Sequence, residues 1–598
     1  MRLLTLVIAI GLFPFLLNAQ VIDVTGFGVR PDSYEDATQG VQRAIEACRN
    51  KPGAVLSFPK GRYDFWPTKA QQRNYYISNT SSEEECPSKI KNIGLLFENM
   101  QDLTIEGNGS VFMFHGKMIT WALDHCDKIR LQNIHVDFER PSMSEMTFKE
   151  VNDTVIIAAI HPDSKFDIRN DTLTWYGEEW RTNHFHAILV DDEKGMETYS
   201  SWGPFLKSKA TIIAPFTVKF SGDFSKNKFA KGQVLTVRDP VRDHVGAFIN
   251  QSKNINLYNV NMHYMHGLGI VAQFSENLHY DSVTVAPTEK SGRMIAAFAD
   301  GAHFSGCKGD ILLERCHFKG LHDDPVNVHG THLQITKIIN PTSVIVRFMH
   351  PQTYGMEAFF KSDSVALVHS PSLQIYGYNI VTNAKLISEK EMKVDLSGPL
   401  TAATKIGDCL ENITCTPNLT VRNCRFERTN TRGLLVTTRG KVVIENNVFF
   451  RTGMHAILIA NDATSWFESG PVQDVLIRNN TFEDCGYNSG EGNYTIAIAP
   501  ENHQPADKYW VHKNIRIENN TFKVYDYPVL TARSTNGLSF VNNTILNTGF
   551  LPAKAHRASI VTNACTNVNI KANRFEWPQD PVINRQNMKA SDLHSDIK

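Results

Sequence analysis

Short segments that alternate apolar and polar residues recur along the second half of the chain. Several of them end in Asn-Asn-Thr-Phe or a close variant. The alternation predicts β-strands that bury one face only. The downstream units are Leu419–Phe426, Val442–Phe449, Val475–Phe482, Ile515–Phe522, Leu538–Ile545 and Val568–Phe575. Similar units lie upstream at Ile129–Val136, Ile255–Met262, Leu278–Val285 and Ile311–Phe318.

The spacing of these units predicts a solenoid. Phe426 and Phe449 are 23 residues apart, as are Phe522 and Ile545, and most other intervals are longer. A fixed minimum with variable excess indicates stacked coils that carry loops. The second Asn of the motif would then recur in one column, where side-chain amides hydrogen-bond from coil to coil. We therefore predict an all-β parallel β-helix with an asparagine ladder.

Two other patterns complete the predicted architecture. Ala37, Val41, Ala44, Ile45 and Cys48 form one helical stripe, which indicates a short helix that caps the open end of the solenoid. Two stretches contain alternating strands without the coil motif and predict inserted β subdomains. The predicted divisions are a signal peptide at 1–19, the cap and first coils at 20–139, an insertion at 140–245, the catalytic coils at 246–330, a second insertion at 331–415 and C-terminal coils at 416–598.

Aligning the coils places several polar side chains in one column. The strand beginning at Ala302 matches that beginning at Val326, which sets Asp300 level with Asp324. Arg432 and His455 continue the column above them, and His303 and Asn327 fall on the outward face beside it. Stacked positions in a parallel sheet lie roughly 4.8 Å apart. The alignment therefore predicts that Asp300, Asp323 and Asp324 share one patch.

Clustered carboxylates of this kind suit acid–base chemistry. Neighbouring negative charges raise the pKa of at least one member, so that an acid and a base coexist near neutral pH. In an inverting glycosidase the two carboxyl groups lie about 6.5–9.5 Å apart. We expect His303, Asn327, Arg432 and His455 to contact a substrate. An Asp-Asp-Pro turn also arises for purely structural reasons, so the prediction depends on the alignment with Asp300.

Net charge, apolar segments and cysteine spacing limit the classes of protein to which this chain can belong. The formal net charge of −1 gives no electrostatic footprint for nucleic acid. Residues 1–19 read as a secretory signal, which predicts an exported protein, and no later segment reaches the roughly 20 apolar residues of a membrane span. Ten cysteines are dispersed along the chain, and the closeness of Cys409 and Cys415 suggests one disulfide.

Two further groups of residues are weaker candidates. His184 and His186, two apart on a predicted strand, would share a face but lack an evident third ligand for a metal. Aromatic platforms for a sugar would come from among Trp66, Trp121, Trp180 and Trp202, each of which packs in a core by default.

The motifs resemble those of known families. The strand, helix and strand at the start of the mature chain resemble pectin-degrading β-helix enzymes, which are right-handed. Ala299-Asp-Gly301 with His322-Asp-Asp-Pro325 resembles the paired aspartate motifs of polygalacturonases. The wider context resembles glycoside hydrolase family 110, the exo-acting α-1,3-galactosidases. That resemblance implies Asp323 as general acid, Asp300 and Asp324 as holders of the nucleophilic water, no metal or organic cofactor, and a glycan with terminal α-galactose as substrate.

Three alternatives remain open at this stage. An endo-acting galacturonan hydrolase would need cations for the substrate carboxylates, yet no Arg-Ile-Lys triplet follows the aspartates. A polysaccharide lyase would use carboxylate-bound Ca²⁺ with Arg432 as base. A non-catalytic solenoid would bind glycans without turnover. The departures from the polygalacturonase motifs favour a neutral sugar, and whether branched or linear glycans are preferred stays open.

Overall fold

The computed structural model describes residues 20–183, 186–488, 494–553, 557–577 and 579–597. The predicted signal peptide and His184 lie outside these residues. Two long parallel sheets run the length of the solenoid, as predicted for a β-helix. A ten-residue helix, Thr38–Ala47, buries Val41, Ala44 and Ile45 against the first coils and so forms the predicted cap.

The first sheet has 23 strands and receives most of the repeated units. Its strands are Val21–Asp23, Ala54–Ser57, Arg62–Phe65, Gln101–Phe114, Asp127–Phe138, Lys253–Met262, Glu276–Asp281, Thr284–Val285, Lys308–Glu314, His317–Leu321, Asn418–Arg422, Arg425–Thr429, Lys441–Glu445, Val448–Thr452, Asp474–Arg478, Thr481–Glu483, His512–Glu518, Thr521–Val524, Thr535–Val541, Thr544–Asn547, Thr566–Lys571, Arg574–Glu576 and Leu593–Ser595. In most coils, one strand of this sheet ends before the Asn-Asn turn and a second begins after it.

The two asparagines of the turn have different tasks. The first adopts a left-handed backbone, with φ near +57° at Asn446 and +56° at Asn479, which asparagine tolerates better than most residues. The second is buried and forms the predicted ladder: the amide of Asn447 donates to Asn480 Oδ1 at 3.0 Å, and that of Asn480 to Asn520 Oδ1 at 3.0 Å. The ladder is therefore confirmed.

A column of phenylalanines accompanies the ladder inside the solenoid. Phe426 and Phe449 stack with ring centroids 4.9 Å apart, and Phe449 and Phe482 with centroids 5.0 Å apart. All three side chains are fully buried. Because each ring contacts its equivalent in the next coil, the apolar and amide columns fix the same register together.

The second sheet carries the strands that flank the candidate site. Its strands are Gln71–Asn74, Ile90–Glu98, Ile119–Asp124, Ala247–Asn250, Ile270–Gln273, Ala302–Ser305, Val326–Asn340, Leu434–Thr437, Ile457–Ile459, Ile496–Ile498, Leu530–Arg533, Ile560–Asn563 and Ile583–Gln586. All of its pairings are parallel except that of the first two strands.

Two antiparallel units project from the coils, each with its own apolar core. The first has a seven-stranded sheet in the order Met196–Ser201, His186–Asp191, Val234–Arg238, Met143–Val151, Val155–Ile160, Thr217–Ser221 and Lys209–Ala214, beside a small sheet of Lys165–Arg169, Thr172–Gly177 and Trp180–Thr182. The second contains Ser343–Arg347, Ser364–His369, Gln374–Leu386, Glu391–Leu396 and Cys409–Asn412. The strand Val326–Asn340 starts as a coil strand and continues into this second unit.

The disulfide predicted between Cys409 and Cys415 is wrong, since both are free thiols, as are the other cysteines. Cys409 begins the extended strand that ends at Asn412, and its Sγ atom lies 3.1 Å from the Ser370 hydroxyl. Among the helices of the described residues, none has the length and apolarity that a membrane crossing needs.

The ladder predicts a graded loss of stability. Asn480→Ala should lower the free energy of unfolding by about 2–4 kcal/mol, because it leaves the Asn447 N–H and the Ile444 carbonyl unpaired in the core. Asn573→Ala removes a rung at the partly exposed end of the ladder and should cost less. Urea denaturation followed by circular dichroism measures both, and equal losses would contradict a ladder stabilised by burial.

Candidate active site

The strand register aligns the predicted polar column. Ala302 pairs with Val326, Val326 with Leu434 and Leu434 with Ile457. Two residues before these strand positions lie Asp300, Asp324, Arg432 and His455 in successive coils. The Gly301 N–H donates to the Asp324 carbonyl at 3.0 Å, which ties the two aspartate turns together. The alignment inferred from the sequence is confirmed.

Glycine at position 301 allows this close approach. A Cβ atom there would lie 2.7 Å from the Pro325 carbonyl oxygen and 2.6 Å from the Phe318 ring, both in the next coil. Any larger residue would force the turns that carry Asp300 and Asp324 apart. The Ala-Asp-Gly and Asp-Asp-Pro segments are therefore matched sterically as well as by register.

All three aspartates line one cavity. Asn327, Arg432 and His303 also line it, together with Asn79, Arg242, Leu268, Leu435, Trp466 and Glu468. His455 is not among the lining residues; it is buried, and its Nδ1 atom hydrogen-bonds the Tyr494 carbonyl at 2.6 Å.

The three carboxyl groups differ in their partners. Asp324 is buried and accepts from the Arg432 side chain at 2.9 and 3.1 Å and from the Arg432 N–H at 3.0 Å. Asp323 is the most open of the three, with a side chain 29% exposed, and one oxygen lies 3.6 Å from Arg242. Asp300 is buried and lies 2.8 Å from His303 Nδ1. Each aspartate thus has its own neighbour with nitrogen donors.

Burial and mutual repulsion shift the protonation of two of these groups. Loss of hydration, reinforced by the charges of Asp300 and Asp324, raises the pKa of Asp323 to about 7. Burial and the charge of Asp324 raise the pKa of Asp300 well above its ordinary value. The cations Arg242 and Arg432 oppose both shifts without cancelling them. A carboxyl group that titrates near neutral pH can donate a proton to a ligand.

Asn327 and His303 were both predicted to contact a ligand, but they differ in whether their polar atoms are free to do so. Asn327 is buried in the wall of the cavity, and among the residues that the structure describes its Oδ1 atom has no hydrogen-bond partner. His303 is fully buried, and both of its ring nitrogens bond within the protein, to Asp300 and to His329. Neither nitrogen of His303 is therefore available to a sugar hydroxyl, and the side chain that strand alternation assigned to the outer surface is buried.

Several lining residues were not found from the sequence. Arg242 lies on the link between the first insertion and the coils, and Asn79 on the segment before strand Ile90–Glu98. Trp466 lies on the loop after strand Ile457–Ile459, and Glu468 begins the short strand Glu468–Ser469, which pairs antiparallel with Gly330 and Thr331. The one sequence signal for this loop is the interval from Phe449 to Phe482, which is 33 residues instead of 23. Ten extra residues mark a loop but do not say where it lies.

One short turn of the second insertion holds three of these side chains. His350 stacks on Trp466 with ring centroids 4.0 Å apart, Gln352 accepts from Arg242 at 3.0 Å, and Thr353 donates to Asn79 at 3.0 Å. The insertion thus closes one end of the cavity.

The four tryptophans proposed as platforms lie elsewhere. Trp66 stacks on His115 with centroids 3.9 Å apart, while Trp121, Trp180 and Trp202 are buried. The aromatic side chain in the cavity is Trp466, which is 42% exposed.

Among the described residues, one cluster has metal-ligand atoms within 4.8 Å of one another: His279, Asp281 and Glu314. It lies on the first sheet, away from the cavity strands, and Arg315 pairs with both of its carboxylates at 2.5 and 2.9 Å. The cavity aspartates are not part of it.

Comparison with known proteins identifies relatives of the whole chain. Family profiles described as GLAA-B beta-barrel domain I, GLAA-B beta-barrel domain II and right handed beta helix region match residues 144–235, 343–410 and 409–577. An alpha-1,3-galactosidase A of Bacteroides fragilis is 48% identical over 579 residues, or 96% of each chain. An alpha-1,3-galactosidase B of Bacteroides thetaiotaomicron is 38% identical and covers 96% of this chain and 94% of its own. An alpha-1,3-galactosidase A of Shewanella woodyi is 32% identical over 94% of this chain and 91% of its own.

The raised pKa of Asp323 predicts a pH-dependent cost in stability. A solvated aspartate titrates near 3.9, so from about pH 4 to pH 7 the unfolded chain has lost this proton while the folded protein keeps it. The stability contributed by this group therefore falls as pH rises through that window. Asp323→Asn should leave the melting temperature nearly unchanged at pH 4 and raise it by about 2 °C or more at pH 8.

Thermal denaturation at both pH values measures this effect. Asp507→Asn, on an exposed loop outside the cavity, controls for the loss of a charge. A difference that is the same at pH 4 and pH 8 would show that Asp323 does not hold its proton in the folded protein.

Proposed function

From the family of the α-1,3-galactosidases, to which this chain belongs, and from its cavity, we infer that the protein is an exo-acting glycoside hydrolase that releases terminal α-1,3-linked galactose from glycans. The observation that carries the proposal is the cluster of Asp300, Asp323 and Asp324 at the base of a cavity closed by loops. The signal-like pattern of residues 1–19 supports an exported enzyme.

The environments of the aspartates support distinct roles. Asp323 is the one open to the cavity, and with a pKa of about 7 it is partly protonated near neutral pH, as a general acid must be. Asp300 and Asp324 lie one coil apart beside it, so we assign them to the water that attacks the anomeric carbon. Attack from the face opposite the leaving group inverts the anomeric centre.

The charges in the cavity favour a neutral sugar. Arg432 is paired with Asp324, and Arg242 lies beside Asp323 and donates to Gln352. Of the lining residues that the structure describes, these two are the only Lys or Arg, and both face carboxylates. A galacturonate would need a cation that is not already neutralised, so this arrangement disfavours the polygalacturonase-like alternative.

The walls of the cavity supply contacts for one sugar ring. Trp466 offers an exposed aromatic face to the apolar side of a galactose, and the unpaired Asn327 Oδ1 atom accepts from a hydroxyl. Glu468 and Asn79 add polar groups on the same side, with Asn79 donating to Glu468 at 2.8 Å. Because this wall blocks one end of the site, we propose that galactose enters as the terminal residue of a glycan.

Product analysis tests the proposed reaction. The purified enzyme is incubated with a blood-group-B trisaccharide and with a linear α-1,3-galactobiose, and early products are followed by proton NMR. We expect free galactose that appears first as the β-anomer, with Asp323→Asn as the inactive control. Absence of free galactose from both substrates would contradict the activity, and initial α-galactose would contradict inversion.

The role of Asp323 predicts a dependence on the leaving group. Asp323→Asn should slow cleavage of a natural α-1,3-galactoside by about 10²–10⁴-fold, because the departing alcohol needs a proton. A nitrophenyl α-galactoside departs as a stable phenolate, so the same variant should lose much less activity on it. Asp300→Asn should be slow on both substrates, and equal losses for Asp323→Asn on both would contradict its assignment as the acid.

A further inference from the structure

A chain of short hydrogen bonds leads away from Asp300 beneath the cavity wall. The Asp300 Oδ2 atom lies 2.8 Å from His303 Nδ1, and His303 Nε2 lies 2.9 Å from His329 Nε2. His329 Nδ1 lies 2.7 Å from the Gly330 carbonyl oxygen. Glu468 lies beside the end of this chain without a hydrogen bond to it, since its Oε1 atom is 3.6 Å from His329 Nε2. Both imidazoles are buried, with 0% and 2% exposure.

The chemistry of these partners fixes the number of protons in the chain. A carbonyl oxygen only accepts, so the Nδ1 atom of His329 carries a hydrogen. Two lone pairs repel at such distances, so one proton lies between the two Nε2 atoms and another between Asp300 and His303. These two protons can each move to the other side of their hydrogen bond without any change in their number.

Three arrangements satisfy this inventory. In the first, Asp300 is neutral and both imidazoles are neutral. In the second, Asp300 is a carboxylate and His303 is an imidazolium. In the third, both protons have moved, so that Asp300 is a carboxylate, His303 is neutral with its hydrogen on Nδ1, and His329 is the imidazolium beside Glu468.

We propose that His303 and His329 are positioning residues that transfer the proton of Asp300 to the side of Glu468, and so leave Asp300 ionised to act as the base. The proposal rests on the proposed function and adds to it the means by which a buried carboxyl group becomes a base. Burial favours the protonated form of Asp300, while a group that is to accept a proton must first have lost its own. The third arrangement resolves this conflict because the negative charge of Glu468 stabilises the imidazolium.

The step is balanced in atoms and charge. The Asp300 O–H bond breaks as a His303 Nδ1–H bond forms, and the His303 Nε2–H bond breaks as a His329 Nε2–H bond forms. The attacking water then gives one proton to Asp300 and its oxygen to the anomeric carbon, while Asp323 gives its proton to the departing oxygen. Solvent afterwards removes a proton from Asp300 and restores one to Asp323.

The surroundings of the chain favour transfer through His303 over storage on it. Burial and the adjacent His329 lower the pKa of His303 to about 3, so the extra proton does not rest there. The charged and titratable groups that face Asp300 and His303 are Arg242, Asp323, Asp324, Arg432, His329 and Glu468. The acidic members favour a positive charge in the chain, and the two arginines oppose it.

Two substitutions at His329 separate proton transfer from simple support. His329→Gln can still accept the His303 Nε2–H through its amide oxygen, but it cannot take up a proton; His329→Leu can do neither. In both variants Asp300 should keep its proton to higher pH. We therefore expect the acidic limb of the pH profile of kcat/KM to move upward by about one pH unit or more, a loss of about tenfold on that limb.

The matched control is His512→Leu, which removes another fully buried histidine on the coil strand His512–Glu518, outside the cavity. Its profile should equal that of the wild type. A wild-type profile for His329→Gln together with a shifted one for His329→Leu would show that His329 only supports His303, and would overturn the relay. Wild-type profiles for both variants would overturn it as well.

Nitrogen-15 NMR of histidine-labelled protein tests the chain without turnover. In the wild type, His329 should show a shift averaged toward imidazolium, while in Asp300→Asn the new amide donates to His303 and both rings should be neutral. Identical neutral spectra in the two proteins would overturn the relay. If the wild type released no galactose while the spectra differed as expected, the proposed function would fail and the proton chain would stand.

Discussion

The register between neighbouring coils is the constraint on which the rest of the structure depends. Side chains that are far apart in sequence meet because Ala302, Val326 and Leu434 are hydrogen-bonded partners in one parallel sheet. A slip of one residue would turn the inward column outward and separate Asp300 from Asp324. The asparagine ladder and the stacked phenylalanines oppose such a slip through many small, repeated contacts. Stability in the ladder and geometry in the cavity are thus two results of the same alignment.

The cavity itself works against the stability of the fold. Three carboxyl groups lie close together in partly dehydrated surroundings, and the structure compensates each one differently. Asp324 accepts from the Arg432 guanidinium, the side chain of Asp323 is partly exposed, and Asp300 hydrogen-bonds His303. Burial, together with repulsion from neighbouring carboxylates, raises the pKa of Asp323 and of Asp300. Chemically identical side chains therefore acquire different surroundings from their positions.

Sequence reasoning reached the parts of the molecule that repeat. Periodicity predicted the Asn-Asn turns, the capping helix and the alignment of Asp300 with Asp324. It could do so because a solenoid converts sequence spacing into spatial position. The loops obey no such rule. Nothing local in the sequence brings Thr353 to Asn79 or Gln352 to Arg242, contacts that join residues 274 and 110 positions apart. The burial of His303 could not be predicted for the same reason. Strand alternation correctly placed its side chain on the outer face of the coil, but only the tertiary structure shows that this face is covered.

The strand Val326–Asn340 belongs both to the repeated coils and to the second insertion. Its first residues follow the coil register and present Asn327 to the cavity and His329 to His303. Its later residues leave the solenoid and become the first strand of the second insertion, whose turn at His350 to Thr353 holds Trp466, Arg242 and Asn79. One continuous strand thus pairs with the coils at its start and with the second insertion at its end. The insertion is therefore continuous with the coil that carries Asn327 and His329, and its turn contacts three residues of the cavity wall.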